Sequence, residues 1–184
     1  NKDQAKQIAD SGRPNDYTII PNVSLLPALD EPYKRKADGC INFVSLGRLS
    51  WEKNMGVLIK AAALLKEKGF QFKILIGGDG VEKENLKALA EDLGVDEVVE
   101  FCGWIVDARS FLQKGDVFIN CSDHEAFPLT FLEAMSLGLP VIASKTAGAE
   151  MIFKGDEAVK VEVGNEVSLA KGMANVCHNS FEGL

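Results

Sequence analysis

Groups that bind metals are scarce in this sequence. It has four cysteines and two histidines, and no pair of cysteines has the CxxC spacing that is typical of zinc sites. We therefore predict no metal site. The cysteines are expected to be free, buried thiols of a protein from a reducing compartment.

Basic charge and long apolar runs are also lacking. The formal net charge is −7, whereas a nucleic-acid-binding domain needs a basic surface. No apolar run is long enough for a membrane span. The first residues, NKDQAKQIADSG, are polar and unlike a signal peptide, and the sequence does not begin with Met. We expect a fragment or processed form of a cytoplasmic protein that binds no nucleic acid.

Two common phosphate-binding fingerprints are absent. The sequence contains no GKS or GKT, which a P-loop requires. GGDG (77–80) supplies two glycines of a dinucleotide-binding turn, but Lys83 stands where the third glycine belongs. An NTPase or an NAD-dependent oxidoreductase is therefore disfavoured. GGDG is either a ligand-binding turn or a purely structural one, and the sequence favours neither.

The sequence does contain a regular alternation of apolar segments and amphipathic helices from residue 41 onward. Strands are predicted at 41–46, 72–77, 98–103, 116–121 and 140–144, with a short segment at 158–163. Helices are predicted at 55–69, 81–94, 107–115, 128–138 and 166–177, with a turn between the fifth strand and the short segment.

These strands are apolar throughout, which indicates a parallel sheet covered on both faces. We predict an α/β fold with a doubly wound, Rossmann-like parallel sheet over residues 41–184. Residues 1–40 contain four prolines and little periodicity. They are predicted to be an interdomain or linker segment with a short helix at 2–10 and a strand at 17–20.

Ligands of doubly wound folds bind beyond the carboxyl ends of the strands. The loop after the first strand, GRLSWEKN, contains Arg48 and Lys53, and Gly47 is expected to let its backbone turn sharply. Two cations in such a loop indicate an anion site, for which a diphosphate is the natural occupant. The alternative is two solvated surface charges.

The segment HEAFPLTFLEAM places Glu125 just before a predicted helix and Glu133 inside it. Thr130 and Ser136 lie three residues on either side of Glu133 and form a narrow polar stripe with it. Periodicity alone favours a solvent-facing stripe. The alternative is a stripe beside a cleft, where both carboxylates accept hydrogen bonds from a ligand; carboxylates suit sugars because they accept from neighbouring hydroxyls.

GRLSWEKN, GGDG and EAFPLTFLEAMSLGLPVIAS together resemble the C-terminal, donor-binding domain of retaining GT-B glycosyltransferases, the glycosyl transferases group 1 family. The E-x7-E spacing of Glu125 and Glu133 is the mark of that family. IIPNV (19–23) resembles its interdomain segment IPNG. The resemblance covers roughly residues 17–175.

The resemblance implies a role for each residue of the E-x7-E segment. Glu133 would bind the ribose of a nucleotide-sugar, and Glu125 would contact hydroxyls of the donor sugar as a catalytic residue. Backbone amides around Phe127, Pro128 and Leu129 would approach the sugar and the phosphate.

The resemblance also implies that Arg48 and Lys53 are catalytic, because they bind the diphosphate and stabilise the charge that grows on it as the glycosidic bond breaks. Gly47 would belong to the same substrate-binding loop. The family generally uses such cations in place of a divalent metal, so a metal-independent reaction without cofactors is expected.

The implied function is transfer of a hexosyl group from a UDP- or GDP-sugar to an acceptor. The implied partner is an N-terminal acceptor-binding domain, without which the isolated chain is expected to be inactive. The full-length protein is expected in the cytoplasm, either free or peripheral on the inner face of the membrane. The alternative from another class is a non-catalytic module that binds a nucleotide or phospholigand.

The sequence departs from the family pattern at three places. Ala126 replaces a glycine, Val23 replaces the last glycine of IPNG, and TAGAEM (146–151) lacks one glycine of the usual pair, which puts its phosphate contacts in doubt.

Trp104 follows Gly103 at the end of a predicted strand. Core or surface packing is favoured for it over a place near the nucleobase.

Overall fold

The computed structural model describes residues 40–178. The predicted linker segment, with its helix at 2–10 and strand at 17–20, lies outside the described residues except for Cys40. The IIPNV segment lies outside them as well.

Six parallel strands form one sheet in the order β3-β2-β1-β4-β5-β6. Five of them lie where the sequence predicts strands, with ends that differ by no more than a few residues, and the sixth lies within the short segment predicted at 158–163. The strands are β1 (Ile41–Leu46), β2 (Phe72–Gly77), β3 (Val99–Gly103), β4 (Val117–Asn120), β5 (Val141–Ser144) and β6 (Val159–Val161).

The helices connect consecutive strands, and the last one follows β6. They are α1 (Met55–Glu67), α2 (Lys83–Asp92), α3 (Ala108–Leu112), α4 (Leu129–Ser136), α5 (Ala147–Ile152) and α6 (Glu166–His178). The prediction of a turn after β5 was wrong, because α5 occupies that position. Its six residues are too few for a periodic pattern, and the Thr146 side chain caps its start by accepting from the Ala149 N–H at 3.3 Å.

Both faces of the sheet are covered, as predicted. Phe43 on β1 points into a cluster that β1 and β2 form with α1, α2 and α6. Its neighbour Val44 points into a second cluster with α3, α4 and α5. In that second cluster Phe131 packs against Phe153, with ring centroids 5.1 Å apart. This alternation follows from the two-residue period of a strand and explains the apolar strand sequences.

The strand order reverses between β1 and β4. The chain first builds outward from β1 through β2 to β3, then returns to the other side of β1 and builds outward from β4 to β6. At such a switch point the loops after the two central strands diverge and leave a crevice at their carboxyl ends. The loops at 47–54 and 121–128 therefore border the crevice.

The loop after β1 is held by the loop after β2. Leu49 N–H donates to the Asp79 carbonyl at 2.9 Å, and Glu82 N–H donates to the Leu49 carbonyl at 3.0 Å. Two glycines permit this approach: a Cβ on Gly80 would lie 2.2 Å from the Leu49 carbonyl oxygen, and a Cβ on Gly78, whose φ is +132°, would lie 1.8 Å from the Gly47 carbonyl oxygen. The expectation that Gly47 itself makes the sharp turn was wrong, since only Gly78 of the two has a positive φ. GGDG thus has a structural role that places the loop of Arg48 and Lys53.

We predict that Gly78→Ala strongly destabilises the domain. The added methyl group meets backbone that cannot move without shifting the loop after β1, and the φ is unfavourable for an L-residue, which together should cost about 3 kcal/mol or more. Urea unfolding followed by circular dichroism measures the loss.

Gly69→Ala is the matched control, because Gly69 also has a positive φ (+79°) but has open space around its Cβ position. Its cost should be about 1–2 kcal/mol, the strain alone. Equal losses for the two variants would show that the close approach of the loops contributes nothing.

Candidate functional site

Lys53 and Glu125 meet across the crevice. The Lys53 Nζ lies 2.5 Å from the Glu125 Oε1, and the two side chains are 25% and 10% exposed. Lys53 ends a short 3-10 turn, Trp51–Lys53, in what the sequence predicted as plain loop. Glu125 lies in the loop between β4 and α4. The structure therefore brings together two of the three residues that the resemblance marks as catalytic.

Two further side chains hold Glu125, and sequence reasoning missed both. The Ser122 hydroxyl donates to Glu125 Oε1 at 2.9 Å, and the Asn120 amide approaches the same oxygen at 3.4 Å. Both are buried, at 1% and 5% exposure. The signal in the sequence was a pair of polar residues at the end of an apolar strand, in INCSDHE. Oε2 of Glu125 has no hydrogen-bond donor among residues 40–178.

A second set of contacts joins the loops on either side of the crevice. The Asn54 side-chain amide donates to Asp123 Oδ1 at 2.7 Å, and Asp123 N–H donates to the Glu52 carbonyl at 2.9 Å. Asn54 has a φ of 47°, a left-handed conformation that asparagine tolerates better than most residues. These bonds fix the distance between the two loops, so Lys53 and Glu125 meet on a rigid frame.

The start of α5 packs against the Glu125 loop. Gly148 N–H donates to the Glu125 carbonyl at 2.7 Å. A Cβ on Gly148 would lie 2.9 Å from both that carbonyl oxygen and Pro128 Cδ, so only glycine allows the two segments to touch. Because this N–H is already bonded to protein, Gly148 does not offer it to a phosphate. The sequence already put the phosphate contacts of the 146–151 loop in doubt, and in this structure the Gly148 N–H is not available for them.

Glu133 is half-buried on α4, and burial raises the pKa of its carboxyl above the ordinary value. No hydrogen bond to its carboxylate is present within the described part of the chain. Its backbone carbonyl accepts from the Ser136 hydroxyl at 2.8 Å. A fully solvated polar stripe would not show this burial. Glu133 is thus a partly desolvated acceptor with free hydrogen-bonding capacity.

The remaining predicted residues belong to the two loops that border the crevice or to the start of α4. Arg48 is exposed and forms no ion pair with residues 40–178. Pro128 is the buried residue that precedes α4, and it offers no side-chain cap to the first turn. Phe127 is half-buried and Leu129 is exposed.

The two tryptophans lie on the carboxyl edge of the sheet. Trp104, after β3, is 77% exposed, and Trp51, after β1, is 70% exposed. Trp104 therefore lies on the surface, which is one of the two positions that the sequence favoured. Neither residue contributes to the core.

The cysteines are free thiols, as predicted, but only Cys121 is fully buried. Burial raises the pKa of the Cys121 thiol to about 12, which makes it an inert packing group. Its Sγ lies 3.4 Å from the Lys53 carbonyl oxygen. Within residues 40–178 no group of three His, Cys, Asp or Glu side chains is placed to hold a metal ion.

A separate cleft lies along the edge strand β3 and has a volume of about 400 Å³. Its lining includes Lys73, Lys87, Glu97 and Glu100, and none of the predicted site residues reaches it.

Residues 31–182 match the family profile described as "Glycosyl transferases group 1". The chain belongs to the glycosyl transferases group 1 family. Lipopolysaccharide core biosynthesis glycosyltransferase LpsE of Rhizobium meliloti is 31% identical over 176 residues, which cover 94% of this chain and 51% of LpsE. The chain thus spans about half the length of this curated relative.

Solved structures share the fold. The apo form of the lipopolysaccharide outer core galactosyltransferase WaaB matches with a TM-score of 0.76 and 24% identity, over 94% of this chain and 50% of WaaB. Anabaena HepE in complex with UDP and glucose matches with a TM-score of 0.69 and 26% identity, over 76% of this chain and 39% of HepE. The predicted family and the Rossmann-like GT-B fold class are confirmed. No helix within residues 40–178 is long and apolar enough to cross a membrane.

We predict that Glu133→Gln stabilises the unliganded domain at neutral pH. A carboxyl whose pKa is raised by folding holds its proton in the folded state at pH values where the unfolded chain has lost it. Its ionisation therefore destabilises the fold as pH rises above the ordinary glutamate value of about 4.3. The variant should unfold at a higher urea concentration than the parent at pH 7 and at the same concentration at pH 4. Urea midpoints at the two pH values measure this.

Glu84→Gln serves as the control, because Glu84 is exposed on α2 and pairs with Lys87 at 3.1 Å. Glu84→Gln also makes the net charge less negative. Because it removes a weakly favourable ion pair, it should not stabilise the domain. If both variants gain equally at pH 7, the effect is one of net charge and not of Glu133 burial.

Proposed function

We propose that this chain is the nucleotide-sugar-binding domain of a retaining glycosyltransferase that transfers a hexosyl group from an NDP-sugar to an acceptor. The observation that carries the proposal is the meeting of Lys53 and Glu125 at the switch point of the sheet. A cation and a carboxylate at that position suit a ligand with an anionic part and a hydroxyl-rich part. Retention of configuration is taken from the family resemblance.

In this proposal Arg48 and Lys53 bind the diphosphate. Both belong to the loop after β1, and Gly47 contributes the backbone at its start. The leaving diphosphate gains negative charge as the bond to the sugar breaks, so fixed cations stabilise the transition state more than the ground state. Because these cations supply the positive charge, the proposed reaction is metal-independent and uses no cofactor.

Glu133 is proposed to bind the ribose. Its half-buried carboxylate has open acceptor positions, and one carboxylate can accept from two adjacent hydroxyls. Glu125 is proposed to contact hydroxyls of the donor sugar through Oε2, the oxygen that has no donor among residues 40–178.

The start of α4 is proposed to approach the sugar and the phosphate. The backbone around Phe127, Pro128 and Leu129 is proposed to make these contacts because it leads into the first turn of α4, which Pro128 leaves without a side-chain cap. The unpaired N–H groups of a helix's first turn attract anionic oxygens.

The comparisons support a nucleotide-sugar donor. The HepE structure contains UDP and glucose, which supports a UDP-sugar before a GDP-sugar for this chain. The alternative of a non-catalytic phospholigand-binding module leaves the free oxygen of Glu125 without a partner, and it does not explain the family membership.

The whole enzyme is proposed to need a second domain. The chain matches about half of LpsE, and an N-terminal acceptor-binding domain is the proposed partner. Catalysis needs donor and acceptor held together, and that placement is worth roughly 7–11 kcal/mol. A cytoplasmic site of action, with peripheral attachment to the inner face of the membrane, is proposed for the full-length protein. The names of relatives such as LpsE, which acts in lipopolysaccharide core biosynthesis, support it.

We predict that Lys53→Ala weakens binding of a nucleoside diphosphate by about 1.5–3 kcal/mol, the scale of a charged hydrogen bond. Isothermal titration calorimetry with UDP and with GDP measures the loss. Lys66→Ala is the control, because Lys66 is exposed and pairs with Glu97, away from the crevice. Equal affinities for the parent and Lys53→Ala would contradict the diphosphate assignment.

We predict different effects for the two glutamates in the complete enzyme. Glu133→Ala should weaken binding of both the free nucleotide and the nucleotide-sugar, because the ribose is common to both. Glu125→Ala should cause no loss of nucleotide affinity but a large fall in kcat, because sugar contacts strengthen as the ring gains positive charge. Nucleoside diphosphate affinity and kcat are measured on both variants. If only Glu125→Ala reduced nucleotide affinity, the two roles would be reversed.

A further inference from the structure

The three donors around Glu125 all converge on one of its two oxygens. Lys53 Nζ lies at 2.5 Å, the Ser122 hydroxyl at 2.9 Å and the Asn120 amide at 3.4 Å from Oε1. The side chain of Glu125 is 10% exposed. The carboxylate is thus held at Oε1 by the Lys53 ammonium and by two neutral donors that lie at the end of β4.

In the proposed function Lys53 binds the diphosphate, but in this structure its ammonium group is paired with Glu125. The Lys53 stem lies over Gly47, where a Cβ would be 3.8 Å from its Cδ and Cε atoms. A lysine stem has several rotatable bonds, so its ammonium can move to a new anion while the backbone stays in place.

Moving Lys53 alone would leave a nearly buried carboxylate without its cation, which is strongly unfavourable unless other donors remain. Ser122 and Asn120 are such donors. Their geometry is fixed independently of Lys53, because Ser122 N–H donates to Asn120 Oδ1 at 3.3 Å. That bond sets the orientation of the Asn120 amide, so its nitrogen faces Glu125.

We propose that a bound diphosphate takes Lys53 away from Glu125, and that Ser122 and Asn120 then hold the released carboxylate in place with its Oε2 open to the sugar. Ser122 and Asn120 are positioning residues in this scheme, since they act through Glu125. The exchange rests on the proposed function for its diphosphate. It couples recognition of the anionic part of the donor to presentation of the carboxylate that meets the sugar.

In this exchange Glu125 and the diphosphate compete for the Lys53 ammonium group. Glu125→Gln removes the competing charge, so it should tighten UDP binding by about 3–10-fold, the range expected for one charged contact offset by solvation. The tightening depends on Lys53. In a Lys53→Met background, Glu125→Gln should leave UDP affinity unchanged.

The test is a double-mutant cycle measured by calorimetry with UDP, and with GDP if GDP binds the parent more tightly. It uses the parent, Glu125→Gln, Lys53→Met and the double variant. Equal tightening by Glu125→Gln with and without Lys53 would overturn the exchange, because the carboxylate would then act only by repelling the phosphates. An unchanged affinity in Glu125→Gln would overturn it too.

Ser122→Ala tests the positioning role. It should weaken UDP binding by about 3–10-fold, since the carboxylate that Lys53 leaves behind has lost a donor. The loss should be much smaller in the Glu125→Gln background, which has no charge to hold. Ser45→Ala is the control, because Ser45 is also buried, at 1% exposure, but lies within β1. Among residues 40–178 its hydroxyl has the Met55 sulfur as its hydrogen-bond partner, at 3.5 Å.

A merely structural role for Ser122 would lower the melting temperature and weaken binding equally in both backgrounds, and that result would overturn the positioning role. Failure of the exchange is distinguishable from failure of the proposed function. If Lys53→Ala weakens UDP binding but the cycle shows no coupling, only the exchange is wrong. If the parent binds neither UDP nor GDP, both are wrong.

Discussion

β1 and β4 lie side by side in the sheet although α1, β2, α2, β3 and α3 separate them in the chain. This adjacency is what the candidate site depends on. It places the loop that ends in Lys53 opposite the loop that contains Glu125, and it leaves a crevice between them because the two connections run to opposite sides. The core on both faces of the sheet holds the two strands in place. A site at this position therefore requires no element beyond those that already stabilise the fold.

The frame around the crevice is built from close backbone approaches. Gly78 lets the loop after β2 contact the loop after β1, and Gly148 lets α5 contact the loop that contains Glu125. Asn54 and Asp123 then join the loops across the crevice. Only side chains remain free to move within such a frame. A mobile Lys53 on a fixed backbone is what an exchange between a carboxylate and a diphosphate needs.

The site has features that lower the stability of the unliganded domain. Glu133 is half-buried without a hydrogen-bond donor among the described residues, and burial raises the pKa of its carboxyl. Glu125 is nearly buried and relies on a lysine that the proposed ligand would attract. Functional sites commonly retain such groups, because the interactions that would satisfy them are supplied by the ligand. The expected gain in stability of Glu133→Gln and the expected loss of nucleotide affinity of Glu133→Ala both reflect that balance.

The sequence by itself determined the parallel α/β fold, because apolar strands and 3.6-residue periodicity are local properties that any reader of the chain can measure. It also determined the family, and it located Arg48, Lys53, Glu125 and Glu133 in loops and helices at the carboxyl edge. The sequence did not predict the short helix α5, because six residues are too few to show a period. It also predicted a sharp turn at Gly47, whereas the residue with the positive φ is Gly78. Only the tertiary structure decided that Lys53 contacts Glu125, a residue 72 positions away, and that Ser122 and Asn120 hold the same oxygen. Pairings of this kind depend on strand order and on the direction of each side chain, and neither leaves a periodic trace in the sequence.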